Sequence, residues 1–161
     1  MQTIKTDKAF AKRGTKKSYM DQYESLKLKN QLCFPLYACS KEIVRLYTPI
    51  LQELDLTYTQ YIVMLVLWEK ENLSVSELGK CLYLDSGTLT PLLKKLEGKG
   101  FLTRQRSESD ERSVIVSVTE AGMELRNRAL SVPQRVGACV HLDAEEAKTL
   151  YTLCYRILET L

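Results

Sequence analysis

Apolar positions recur along this chain at two different periods, and the switch between them marks its organisation. From about Asn30 to about Leu54, apolar residues return every three to four positions, the spacing of one helix face, and Pro49 predicts a bend near its end. TYTQ (57–60) sets a hydroxyl three residues before an amide, a capping box, and opens a helix carrying YIVMLVLWEK. SVSE (74–77) repeats the device ahead of a short helix through Leu78 and Leu82. In YLDSGT, Asp85 is the expected N-cap of a further helix that ends at Gly100.

Then the period changes to two. FLTRQR (101–106) and SVIVSVT (113–119) alternate, with Val114, Val116 and Val118 on one face, and the polar SESDE lies between them. The pair predicts a β-hairpin. Helical spacing resumes over roughly Glu120 to Cys139, bent near Pro133, and over Asp143 to Leu161. The reading is a mainly α chain with a small β-hairpin. Helix, short helix, capped helix and two-stranded ribbon follow in the order of a winged helix-turn-helix, whose second helix enters the DNA major groove.

Composition narrows the function classes. With 161 residues, 45% hydrophobic and 27% charged, the chain suits one globular domain, or one domain plus an appended segment. The longest apolar run, YIVMLVLW at 61–68, is too short to span a bilayer, and no apolar stretch follows the N-terminal basic residues as in a secretory signal. A cytoplasmic location without membrane association is expected. Residues 1–20 carry six Lys/Arg against Asp7, so the rest of the chain is net −2, despite +3 overall. DNA binding must therefore come from local patches, and the basic tail reads as a solvated, disordered extension. The five cysteines (Cys33, Cys39, Cys81, Cys139, Cys154) include no CxxC pair, and His141 is the single histidine. No metal site, no cofactor and no histidine-based triad is expected; an odd set of thiols instead suggests one that reacts.

Ser86, Gly87, Thr88 and Thr90 put small and hydroxylated side chains at the start of the third helix of the winged motif. They suit close approach to base edges, while the helix amides favour phosphate. Lys94 and Lys95 would neutralise phosphates, unless they are a solvated face. In the wing, Arg104, Arg106 and Arg112 stand against Glu108, Asp110 and Glu111, so local charge is near zero. Either this is a surface ion-pair cluster, or an arginine is braced for a narrow minor groove.

Cys33 with its flanks, LYLDSGTLTPLLKKLE (82–97) and RSESDERSVIVSVTEAG (106–122) resemble the MarR family, most closely its organic-hydroperoxide-sensing, OhrR-like repressors. The resemblance covers about residues 24–161. It implies a homodimer whose N- and C-terminal helices interlock, with two winged domains reading a palindromic operator in double-stranded DNA. The implied organisation is an extension at 1–22, a helical dimerisation region at 23–56 and 120–161, and a winged helix-turn-helix at 57–119. The resemblance makes Cys33 the peroxide-sensing thiol and Tyr37 and Tyr47 the phenols that hydrogen-bond it. It places Ser86, Gly87, Thr88, Thr90 and Pro91 on the recognition helix, and Arg112 at the wing tip with Asp110 supporting it. Pro35, where an aliphatic residue is expected, and the N-terminal extension depart from the pattern.

The chemistry of the residues is compatible with this resemblance. Proline is tolerated in a first helical turn and costs about 3 kcal/mol inside a helix. Pro35 thus predicts a helix start near Asn30 or Gln31, with Cys33 in the first turn, where free amides and the dipole favour the thiolate that attacks a peroxide. Tyr37 follows one turn on. Tyr47 lies fourteen residues from Cys33, about 21 Å along a straight helix, so any contact it makes with that thiol must come from an antiparallel partner. Cys39 sits roughly 240° round the helix from Cys33, too far for an intrahelical bridge without unwinding. By the same resemblance, two-cysteine members of the branch resolve the oxidised thiol with a cysteine late in the fifth helix, where Cys139 falls. Cys81 and Cys154 read as packing residues. The competing readings are a thiol peroxidase, for which no acid–base group beyond tyrosine is available, and a MarR-like regulator of general oxidants or an aromatic ligand.

Overall fold

The computed structural model describes residues 23–107, 110 and 112–161. The basic extension at 1–22, and Glu108 and Glu111 of the expected wing, lie outside the described residues. Packing divides the chain into two units, Met1–Cys39 and Ser40–Leu161, with helix α1 (Cys33–Gln52) running across the division. In the first unit, short 3-10 turns at Glu24–Leu26 and Leu28–Asn30 precede α1. The Asn30 side-chain amide donates to the Glu24 carbonyl at 2.7 Å, and that of Gln31 to the Ser25 carbonyl at 2.5 Å. Gln31 is extended, so α1 starts at Cys33, later than Asn30 or Gln31. Pro35 is therefore third in the helix, where a backbone N–H has no intrahelical acceptor to lose.

The second unit carries the core. Helix α2 (Tyr58–Lys70) begins at the predicted capping box: the Gln60 amide donates to Thr57 Oγ1 at 3.3 Å, and the Thr57 amide to Gln60 Oε1 at 3.0 Å. Strand β1 (Asn72–Ser74) leads into α3 (Val75–Leu82), capped by Ser74 and Glu77, and Asp85 caps α4 (Ser86–Gly98). Strands β2 (Leu102–Arg106) and β3 (Val114–Val118) form the expected hairpin. The sheet nevertheless has three strands, in the order β1-β3-β2, because Leu73 pairs with Val116.

Buried leucines fix the orientation of α4. Leu89, Leu93 and Leu96 are each fully buried at helical spacing, which turns Ser86, Thr90 and Lys94 to solvent. Truncating Leu93 to alanine would cost about 2–5 kcal/mol. The turn from α3 to α4 is equally constrained: a Cβ at Gly79 would sit 2.6 Å from the Leu84 carbonyl oxygen. Tyr83 closes α3 in the left-handed region, at φ 54° and ψ 38°.

After the wing the expected single helix from Glu120 to Cys139 is two helices, α5 (Glu120–Ala129) and α6 (Val132–Gly137). Pro133 lies in the first turn of α6, so it starts a helix and does not bend one. Cys139 lies just beyond the end of α6. Arg135 on α6 grips Glu53 with two hydrogen bonds, at 2.6 and 2.8 Å. Helix α7 (Ala144–Leu158) buries none of its residues, leaving Leu150, Leu153, Tyr155 and Ile157 exposed.

Candidate functional site

The thiols separate by environment. Cys33 is exposed at the first position of α1, and Tyr37, one turn on, is also exposed; both belong to the first unit. Tyr47 and Cys139 belong to the second. The Tyr47 ring packs against Tyr58 at 5.0 Å and Tyr61 at 5.9 Å, in a row that continues to Trp68. Burial, and then the neighbouring Tyr58 phenol, raise the Tyr47 pKa above its ordinary value, so it stays an O–H donor well into alkaline solution. Cys139 is exposed and its S–H donates to the Arg135 carbonyl at 3.5 Å. It lines an open groove of about 850 Å³ with Glu42, Arg45, Leu46 and Pro49 of α1. Cys81 corrects the sequence reading: it is exposed, not packed, and accepts a hydrogen bond from the Lys70 ammonium at 3.6 Å. Cys154 is half-buried.

The second surface gathers around the start of α4. Ser86, Gly87, Thr88, Thr90, Pro91, Lys94 and Lys95 are all exposed. Asp85 accepts from the Thr88 amide at 2.9 Å and from its hydroxyl at 2.8 Å, and these bonds hold its carboxyl below the ordinary range. Thr90 donates its hydroxyl to the Ser86 carbonyl at 2.7 Å. Both threonine protons are thus committed within the helix, so toward a ligand Thr88 and Thr90 offer methyl groups and acceptor lone pairs. Pro91 has no N–H, so the carbonyl of exposed Gly87 loses its usual helical donor.

In the wing, Asp110 supports Arg112 through the backbone and not through the guanidinium. Its carboxylate accepts from the Arg112 amide at 3.0 Å and the Ser113 hydroxyl at 2.7 Å; the Ser113 bond first, then the Arg112 amide, lowers its pKa. The turn is held while the Arg112 side chain makes no hydrogen bond or ion pair among the described residues. Arg104 behaves differently from a wing contact. It clasps Glu97 of α4 at 2.5 and 3.0 Å, joining β2 to α4 and lowering the Glu97 pKa. Between α3, the start of α4 and the wing lies an open groove of about 680 Å³ that includes Ser86, Thr90 and Arg112 with Lys80 and Tyr83. Lys80 and Tyr83 escaped sequence reasoning because a lone lysine and tyrosine on a short helix carry no spacing signal. Among the described residues, no group of three or more His, Cys, Asp and Glu side chains could hold a metal ion, and no helix is long and apolar enough to cross a membrane.

Residues 45–129 match the family described as Transcriptional regulator SarA/Rot. The organic hydroperoxide resistance transcriptional regulator of Bacillus subtilis is 48% identical over 141 residues, covering 88% of this chain and 96% of its own. AbfR of Staphylococcus epidermidis, solved reduced and bound to DNA, is 34% identical over 85% of this chain and 95% of its own, with a TM-score of 0.70. Its disulfide form, 35% identical over 85% of this chain and 90% of its own, superposes less well, at 0.56. MarR of E. coli is 28% identical over 80% of this chain and 96% of its own, with a TM-score of 0.64. With nearly half its residues shared with the Bacillus regulator across almost its full length, on a winged fold common to AbfR and MarR, this chain belongs to the MarR family of transcriptional regulators, in its OhrR-like branch.

Proposed function

We propose that this protein is a DNA-binding repressor that leaves its operator when organic hydroperoxide oxidises Cys33. The observation that carries the reading is an exposed thiol at the first position of α1, in a chain whose second unit presents the capped helix α4, with an exposed face, beside a wing. The sulfur attacks the outer peroxide oxygen, the O–O bond breaks, and the alkoxide leaves as an alcohol with a proton from solvent. Cys33 is then a sulfenic acid, oxidised by two electrons. Tyr37 and the phenol of Tyr47 from an antiparallel partner are the donors that steady the sulfur. Cys139 is the resolving thiol: its sulfur attacks the sulfenic acid, water leaves and a disulfide forms.

The dimer is built from the regions 23–56 and 120–161, and the solvent-facing apolar residues of α7 fit burial in it. Residues 57–119 read the operator, with base contacts from Ser86, Gly87, Thr88, Thr90 and Pro91. Lys94 and Lys95 contact phosphate, and Arg112 enters the minor groove from a turn held by Asp110. The protein acts in the cytoplasm, uses no cofactor, and is consumed stoichiometrically without turnover. A gel-shift with the DNA upstream of its own gene tests this, with and without cumene hydroperoxide. Binding of reduced protein and release by peroxide support the reading. Binding that peroxide leaves unchanged removes the redox function, and no sequence preference removes the repressor.

A further inference from the structure

The groove between α3, the start of α4 and the wing differs from the rest of this surface in which of its donors remain unused. The Ser74 hydroxyl bonds Glu77, Thr90 bonds the Ser86 carbonyl, and Ser113 bonds Asp110. The hydroxyls of Ser76 and Ser86, the ammonium of Lys80 and the guanidinium of Arg112 make no hydrogen bond or ion pair among the described residues. All four groups line the groove, and among the described residues no carboxylate does. Glu77 is near enough for Lys80 to help lower its pKa, but the Glu77 carboxylate is engaged at the α3 cap by the Ser74 hydroxyl and amide. The Lys80 ammonium and the Ser76 hydroxyl, both on α3 and facing a concavity that no described carboxylate lines, suit a phosphate, while Ser86 and Arg112 remain for the base and minor-groove contacts.

We propose that this groove receives a backbone phosphate of the operator, and that Lys80 is a DNA contact in addition to the recognition helix and wing. The proposal rests on the reading of the chain as a DNA-binding regulator and deepens it. Lys80 projects from the first helix of the helix-turn-helix, the element that crosses the DNA backbone in this motif, whereas Arg112 approaches from the opposite wall. Lys80 therefore adds affinity without sequence preference.

The test is the salt dependence of operator affinity for the reduced full-length protein, its Lys80→Ala variant and its Lys80→Arg variant, with thermal melting to confirm folding. Each phosphate contact contributes about 0.9 to the slope of log K against log salt, and a dimer carries two copies, so Lys80→Ala should lower the slope by about 1.8. That corresponds to roughly a 60-fold loss at 0.1 M salt. The loss should be equal on operator and on unrelated DNA, and Lys80→Arg should keep the wild-type slope. A Lys80→Ala slope equal to wild type overturns the proposal and leaves the repressor reading intact. Wild-type protein with no DNA preference overturns both.

Discussion

The first turn of α5 is where α2, the base of the wing and the following helices meet, and Gly122→Ala tests that junction. An ideal Cβ there would lie 2.1 Å from the Phe101 carbonyl oxygen and 2.8 Å from Val118 Cγ2. Neither obstacle is the end of a flexible side chain: one is backbone entering β2 and the other a branched residue ending β3. Reaching even 3.0 Å from the carbonyl oxygen requires a shift of about 0.9 Å in a packed region. Overpacking of this kind costs about 1–3 kcal/mol. The same shift disturbs the buried bond from Trp68 Nε1–H to the Gly122 carbonyl, 2.7 Å long, and leaving its partners unsatisfied adds about 1–3 kcal/mol. The expected loss is therefore about 2–6 kcal/mol, read by urea unfolding at fixed protein concentration with circular dichroism. Because Trp68→Phe acts on the same carbonyl, the double variant should lose less than the sum of the two. A Gly122→Ala stability within about 0.5 kcal/mol of wild type would refute the close approach.

Further outcomes concern the wing, the Asp85 cap and Cys139. Arg112→Ala should weaken operator binding by roughly 1–3 kcal/mol per contact at matched salt, leaving peroxide reactivity unchanged; equal affinities in an anisotropy titration would exclude the wing contact. Asp85 has its carboxyl held below the ordinary 3.8, so its cap is in force above that value and is lost as pH falls through the lower native value. Stability measured against pH should thus fall more steeply below pH ~4 in wild type than in Asp85→Asn, whose amide does not titrate. Peroxide should give wild-type protein a disulfide-linked dimer on non-reducing gels. Cys139→Ser should instead give a monomer band with Cys33 as sulfinic or sulfonic acid, and peptide mapping of a Cys33–Cys154 link would reassign the partner.

The legible parts of this fold are those specified by local chemistry. Thr57 with Gln60, Ser74 with Glu77, and Asp85 each satisfy helix amides within three residues, and each caps where the sequence places it. Val114, Val116 and Val118 alternate strongly enough to define β3. Strand β1 was not legible, because three residues carry no period and its pairing partner lies more than forty residues away. The break between α5 and α6 was masked by continuous helical spacing through Leu130 and Ser131. At the candidate site, Arg104 looked like a wing cation because its partner, Glu97, stands on another element. Cys81 looked like core because cysteine is usually buried, yet its place on α3 turns it to solvent.

The central claim is that one sulfur controls DNA occupancy, and a titration of the reduced protein–operator complex with organic hydroperoxide tests it most directly. Wild-type release should follow oxidant in proportion to the Cys33 sulfenic acid formed, reaching completion near stoichiometry. Cys33→Ser should bind the operator with wild-type affinity and remain bound throughout the titration. Release of Cys33→Ser by the same peroxide dose would contradict the account.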